Sequence, residues 1–165
     1  MATGTILLPV MAFIVDETDP PFIGFSAGDS VPYLAFDSAT PNESATISFR
    51  LPSDYASAPL LKIQWSNDGT DTGNVRWEVA IAAVTPNTDA DDMTTARTFD
   101  TSNTVVDAGV DTRRVQEVEM ALTNFDGAVA GDNITLRFSR DAADALDTMD
   151  TNGLVFALAL EYTTA

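Results

Sequence analysis

The chain has 165 residues, with 25 acidic and 8 basic side chains and a net charge of −17. The length and a hydrophobic fraction of 45% suit one globular domain with a real core. So negative a surface repels phosphate backbones and anionic lipids, which argues against nucleic acid and membranes as partners. The sequence has no Cys and no His, which excludes disulfides, thiolate chemistry and the commonest transition-metal ligand. We therefore expect no cofactor.

The first apolar run, residues 5–15, lacks the basic region and cleavage site of a signal peptide and is too short to span a bilayer. It is apolar on both faces of an extended chain, which requires cover on both sides. Pro9 cannot donate to a sheet ladder, so the run is expected to be an edge strand or an extended N-terminal arm. Two positions stay open: against a neighbouring subunit, or under loops of its own domain. The arm reading predicts that residues 2–15 can be deleted without unfolding the rest.

Residues 16–40 are rich in Pro and Gly, with short aromatic pieces between the turns. A long segment with so little periodicity is usually functional or forms an interface. We therefore separate an N-terminal arm and loop segment, residues 1–40, from a β-sandwich domain, residues 41–165. The side chains expected to contact a partner are the apolar ones of this first segment: Ile6, Leu8, Val10, Phe13, Phe22, Phe25 and Tyr33.

From residue 44 onward the chain shows strand-like alternation, clearest in Asn74–Val84, where Val75, Trp77, Val79 and Ile81 share one face. Similar alternation marks residues 45–51, 61–65, 118–122, 132–140 and 153–163, whereas residues 105–106 predict a short strand at most. The turn-rich residues 66–73 predict a hairpin between two strands whose tryptophans, Trp65 and Trp77, meet in the core.

Seven to nine strands with no convincing helix predict an all-β fold, an antiparallel two-sheet sandwich of jelly-roll type. Such sandwiches carry exposed loops at both ends and serve mainly in binding and assembly.

Two groups of acidic residues could carry chemistry on such a fold. The acidic loop around Asp89, Asp91 and Asp92 offers carboxylates to a hard cation, but it lacks the Gly and the distal Glu of a calcium loop, which favours a solvated loop. Whether it binds a cation stays open. Glu78, Glu117 and Glu119 lie on outward strand faces, and their spacing singles out no hydrolytic pair.

A nucleophilic triad lacks its usual base, since the chain has no His. The basic residues Arg113, Arg114, Arg137 and Arg140 are too few for a nucleic-acid track and are expected to pair with nearby acids. We expect no catalytic residue, no resident metal and no enzymatic activity.

The strand and turn motifs resemble a group of small structural proteins of tailed phages, over roughly residues 33–165. The segments that carry the resemblance are ATISFRLPSDY (45–55), LKIQW (61–65), GNVRWEV (73–79), ALTNFDGAVAGD (121–132), LRFSRD (136–141), DTMD (147–150) and LEYT (160–163). The resemblance implies a virion component with a β-sandwich, placed on the head as a decoration (cement) protein or on the tail.

On this basis the expected function is a non-enzymatic capsid decoration protein that binds the major capsid protein and stabilises the phage head. Decoration proteins usually sit at symmetry axes, so a homotrimer is expected. The protein would lie in the host cytoplasm before assembly and on the surface of the particle afterwards. Two alternatives are a tail-associated host-recognition module that binds glycan, and a glycan hydrolase using paired carboxylates.

Overall fold

The computed structural model describes residues 2–40, 42–90 and 97–165. This part of the chain forms strands and one short 3₁₀ turn, Val10–Ala12. No helix in it is long and apolar enough to cross a membrane. The strands are β1 (Thr3–Leu8), β2 (Ile14–Val15), β3 (Phe22–Phe25), β4 (Pro32–Phe36), β5 (Ser44–Arg50), β6 (Tyr55–Asn67), β7 (Asn74–Val84), β8 (Asn103–Ala108), β9 (Gln116–Ala121), β10 (Asn133–Arg140) and β11 (Gly153–Thr164).

The strands form two antiparallel sheets packed face to face. Sheet A has the order β3-β4-β11-β6-β9, with β1 also paired to β11, and sheet B has the order β2-β5-β10-β7-β8. Inward side chains of both sheets alternate with outward ones and form a single core. The predicted antiparallel β-sandwich is therefore confirmed.

Aromatic side chains from both sheets fill the centre of the core. The rings of Trp65 and Trp77 lie 5.7 Å apart in a T-shaped arrangement, and Trp77 stacks on Phe138 at 5.2 Å. Gly153 makes room for this packing, because a Cβ at that position would lie 2.6 Å from the Trp77 ring. The prediction that the two tryptophans meet is confirmed.

The predicted hairpin between the two Trp-bearing strands is wrong. β6 pairs with β9 and β11 in sheet A, whereas β7 pairs with β8 and β10 in sheet B. The residues between them carry the chain from one sheet to the other. Since stacked sheets lie about 10 Å apart, large side chains facing inward from the two layers can touch just as a hairpin pair would.

The N-terminal forty residues belong to the sandwich. β1 pairs with β11 from Thr3↔Thr163 to Leu8↔Leu158, β2 pairs with β5, and β4 joins β3 to β11. The strand pairing thus crosses residue 40. Within the run 5–15, Leu8, Val10 and Phe13 are covered by this domain, whereas Leu7, Met11 and Ile14 stay exposed. Removing residues 2–15 would take β1 and β2 out of the two sheets, so we expect that deletion to destabilise the fold.

Arg140 organises the connector between β10 and β11. Its side chain is fully buried, and its guanidinium forms a two-point ion pair with Asp147, with N···O distances of 2.9 and 2.7 Å. It also donates to the backbone carbonyls of Phe36, Met149 and Thr151. The expected pairing of Arg140 with a nearby acid is confirmed. Its role is to hold residues 141–152 against the end of the core.

Candidate binding surfaces

The structure spreads the seven predicted contact residues between core and surface. Leu8, Val10 and Phe13 are buried, and Ile6 packs partly buried against the core. Tyr33 is half-buried, with its ring 5.7 Å from that of Phe156. Phe22 and Phe25 are exposed by 68% and 57%. Within this fold the three buried side chains are occupied by the protein's own core, and whether the exposed ones contact a partner stays a prediction.

Exposed apolar side chains nevertheless concentrate in the same part of the chain. Among the described residues, seven of the eleven exposed large hydrophobic side chains fall between residues 7 and 31: Leu7, Met11, Ile14, Phe22, Ile23, Phe25 and Val31. We call these seven the N-terminal edge surface. Leu7 and Ile14 are the most exposed, at 75% and 77%. Leu7, Met11 and Ile14 are not among the predicted contact residues, because that prediction took other apolar residues of the same run.

The topology places these residues along one narrow side of the sandwich. β3 is the terminal strand of sheet A and β2 that of sheet B, while the 3₁₀ turn between β1 and β2 packs against β4 and β11. The opposite side is formed by β8 and β9, which pack beside each other. Within sheet A, β3 pairs on one side only, with β4, so its other side is a backbone edge of the kind that accepts a further strand.

The outer face of sheet B has a different character, with small and polar side chains. Ser48, Thr135 and Ala82 lie side by side across β5, β10 and β7. The hydroxyl oxygens of Ser48 and Thr135 are 3.3 Å apart and share a hydrogen bond. Next to this row, the guanidinium of Arg137 lies 4.4 Å from the centre of the Phe99 ring. Besides this cation–π contact, the charge of Arg137 lies near enough to Asp16 to help lower the pKa of that carboxyl group.

Among the described residues, three open depressions border this face, and one of them lies around Asp16 and Arg137. The other two lie near Arg97. One of about 520 Å³ is lined by Ser48, Phe49, Arg50, Val84, Arg97, Asn133, Ile134 and Thr135. The other, of about 620 Å³, is lined by Ala82, Ala83, Asp89, Ala90, Arg97, Thr98, Phe99, Asp100 and Asp126. Arg97 lines both, so the two depressions adjoin. Phe99 and Arg97 lie outside the alternating segments of the sequence, so no local pattern pointed to them.

The carboxylates of the larger depression serve the fold. Asp89 accepts the backbone N–H of Thr85 at 2.6 Å, and Asp126 accepts that of Ala83 at 2.8 Å. Asp91 and Asp92, the other acids of the candidate cation loop, lie outside the described residues. In the part of the chain that is described, no three acidic side chains are grouped so that they could hold a metal ion.

The three glutamates weighed for hydrolysis are held in ion pairs on the sheet surfaces. Arg76 lies 2.7 Å from Glu78, and Lys62 lies 3.9 and 3.5 Å from Glu117 and Glu119. Arg76 also pairs with Asp141. These contacts give each glutamate a structural role, and they place Glu78 in the other sheet from Glu117 and Glu119.

The electrostatics of the remaining acids follow from backbone contacts and burial. Backbone N–H groups of Thr18 and Asp19 hold the pKa of Asp16 below its usual value, and the nearby charge of Arg137 adds to this. Burial raises the pKa of Glu43, although the backbone N–H of Asp37 donates to its carboxylate and opposes the shift. Asp16 lines a polar depression of about 320 Å³ together with Asp19, Asn42, Ser44, Glu78, Arg137 and Ser139.

Comparison with known proteins supports the fold assignment alone. No protein-family model and no curated protein sequence matches the chain. The functional form of the mosquito-larvicidal Cry4Aa toxin of Bacillus thuringiensis is similar over 98% of this chain and 24% of its own, with 12% identity and a TM-score of 0.62. The isomalto-dextranase of Arthrobacter globiformis T6, complexed with panose, is similar over 95% and 23%, with 13% identity and a TM-score of 0.55.

A third similar structure contains the CBM22-1 and GH10 modules of xylanase 10B from Clostridium thermocellum, complexed with xylohexaose. It matches over 98% of this chain and 28% of its own, with 9% identity and a TM-score of 0.53. Separate carbohydrate-binding modules also occur among the similar structures, at lower TM-scores. The chain spans about a quarter of the length of the three larger proteins, and at 9–13% identity the likeness to them shows the fold alone.

Proposed function

We propose that this protein is a non-enzymatic module of a tailed-phage particle that attaches to a larger protein shell through the N-terminal edge surface. The observation that carries the proposal is the concentration of exposed apolar side chains on one side of a strongly acidic sandwich. Contiguous exposed apolar surface on an otherwise polar protein marks an interaction site. The resemblance to phage structural proteins supplies the setting, and the major capsid protein is the partner it favours.

The energy available at this surface is enough for specific attachment. A fully buried aromatic side chain removes about 150–250 Å² from water. At 68% exposure, Phe22 therefore has about 100–170 Å² left to bury, worth about 2.5–4 kcal/mol at about 25 cal/mol per Å². Leu7, Ile14 and Phe25 add to this. The open edge of β3 could add main-chain hydrogen bonds to a strand of the partner.

The charge of the protein restricts the partner. At −17, free modules in solution repel one another and strongly acidic protein surfaces, which keeps them soluble until they assemble on the shell. The docking site on the shell is then expected to be apolar at its centre and neutral or basic around it. A homotrimer around a symmetry axis is the assembly that fits such a shell, with the apolar edges turned towards the capsid.

The test is a binding assay with shells of the major capsid protein. We expect the double variant Phe22→Ser/Phe25→Ser to bind at least about 100-fold more weakly, because the apolar burial lost at Phe22 alone is worth about 2.5–4 kcal/mol. The matched control is Val115→Ser/Val129→Ser, which removes two exposed apolar side chains elsewhere on the surface and should bind as the unchanged protein does. Thermal unfolding would verify that both variants fold.

Full occupancy of the shells by the Phe22/Phe25 variant would refute the proposed surface. Quantitative mass spectrometry of whole particles gives an independent reading. Decoration requires hundreds of copies per particle, whereas a tail module requires few.

A second candidate function is saccharide binding, as in a host-recognition module. The observation that favours it is the polar outer face of sheet B, with two adjoining depressions, hydroxyl side chains and arginines. Sites for small ligands are concave and combine apolar walls with a few placed polar groups. Ile14 of the N-terminal edge surface pairs with Thr46 on this same face, so the two candidate surfaces adjoin at β2.

A further inference from the structure

The basic residues of this acidic protein are unevenly distributed. Of the eight, Lys62, Arg76 and Arg140 are engaged in ion pairs with neighbouring acids. Arg113 and Arg114 lie in the loop between β8 and β9. The remaining three, Arg50, Arg97 and Arg137, lie on or beside the outer face of sheet B. Three of the protein's few cations are thus concentrated on the face that carries the depressions.

Arg50 is the best placed of the three to meet a ligand. It is exposed at the end of β5, and its Nε donates to the carbonyl of Gly131 at 2.9 Å. This bond leaves the two terminal nitrogens as donors for an outside group. Among the described residues, no acidic oxygen lies within 4.0 Å of its guanidinium. The adjacent acid, Asp132, is buried and accepts the backbone N–H of Val129.

The depression lined by Arg50 and Thr135 places this arginine among groups suited to a sugar ring. No carboxylate is found among the described residues that line it, but Ser48, Asn133 and Thr135 offer hydroxyl and amide groups. Val84 and Phe49 supply apolar walls. Its volume of about 520 Å³ falls within the range of roughly 300–1,000 Å³ usual for small-ligand sites. Hydroxyl partners, a C–H surface and a guanidinium together match a pyranose ring that bears a carboxylate.

A peptide is a poorer match for this place. Acidic peptides commonly bind by adding a strand to a sheet edge. β10, at the floor of the depression, is already paired on both sides with β5 and β7, so it offers no backbone edge. Recognition must then come from side chains alone, as it does for a saccharide lying across a sheet face.

We propose that the depression around Arg50 binds acidic saccharides, with the Arg50 guanidinium receiving the carboxylate of a uronate residue. A charge-assisted pair of this kind is stronger than a neutral hydrogen bond and selects the charged ring over a neutral one. The inference rests on the second candidate function and specifies its ligand. It does not depend on attachment through the N-terminal edge surface.

Isothermal titration calorimetry of the full chain with tetragalacturonate tests this inference, with a neutral galactotetraose and a poly-glutamate peptide as comparison ligands. We expect binding of the acidic saccharide, and a loss of roughly tenfold or more in affinity for Arg50→Gln. Arg114→Gln is the matched control, because it removes the same charge from an exposed loop. It should bind as the unchanged protein does.

Each other outcome counts against a defined part of the argument. Equal losses for Arg50→Gln and Arg114→Gln would show general electrostatics and overturn the Arg50 site. Equal binding of the peptide would overturn the saccharide assignment. Binding of the neutral tetramer as tight as that of the acidic one, unaffected by Arg50→Gln, would leave saccharide binding standing and overturn only the inference about charge. Failure of all saccharides to bind would refute both the saccharide-binding function and the role of Arg50.

Discussion

The replacement Asp147→Asn should destabilise the protein by about 3–5 kcal/mol, because it removes one partner of a buried ion pair. Arg140 is fully buried, and Asp147 accepts from both its Nε and its Nη2. The other hydrogen bonds of the guanidinium go to backbone carbonyls, which carry no full charge. Asparagine keeps the size of the side chain but leaves the buried cation with only the more distant charges of Glu43 and Asp71, and water has no access to replace the lost charge.

Urea unfolding at pH 7, followed by tryptophan fluorescence, measures this loss directly. The matched control is Asp144→Asn in the same connector, where the carboxylate is 30% exposed and lies 3.4 Å from Arg76. We expect the control to lose less than about 1 kcal/mol, as exposed pairs do. On this reasoning, burial decides how much an ion pair contributes to the free energy of unfolding. Similar losses of that free energy in the two variants, or a loss below about 1 kcal/mol for Asp147→Asn, would refute it.

Two further predictions concern the core and the dependence of stability on pH. Trp77→Ala should cost roughly 3–5 kcal/mol in urea unfolding, since Trp77 is fully buried between the sheets; a variant of unchanged stability would contradict the packing described. The pKa of Asp71 is lowered by backbone N–H groups of Gly73 and Asp150, so its stabilisation is present above the unfolded-state pKa and is lost as the pH falls through the folded one. The pKa of Glu43 is raised by burial, so its ionisation lowers stability as the pH rises from the unfolded-state pKa through the folded one. Unfolding curves across pH 2–7 should show that Asp71→Asn loses less stability in acid than the unchanged protein does. They should also show that Glu43→Gln is more stable than the unchanged protein near neutral pH. The opposite sign in either variant would contradict the direction of the pKa shift described.

The alternation of residues predicted the strands well, because burial on one side of a sheet leaves a period of two in the sequence. It predicted most strand positions from residue 44 onward, including the strand that carries Trp77. It could not tell a hairpin from a crossing between sheets, since both place Trp65 and Trp77 on inward faces. The same pattern also placed Arg140 on the inward side with Phe138, and this was the available signal for the buried ion pair.

The candidate surfaces were harder to predict. Leu7 and Leu8 are the same residue type, and only the register of β1 on β11 decides which of them faces the core. The depressions on sheet B combine residues from β5, β7, β10 and the chain near Phe99, which no local pattern brings together. Such sites depend on pairings between residues far apart in the sequence.

The pairing of β1 with β11 has a consequence for synthesis of the protein. Leu8 lies opposite Leu158, so its partner is translated 150 residues later. At about 5–20 residues per second, a ribosome needs roughly 8–30 s to supply that partner. During this interval the first apolar strand has no sheet to join, and mutual repulsion between acidic nascent chains is what discourages their premature association.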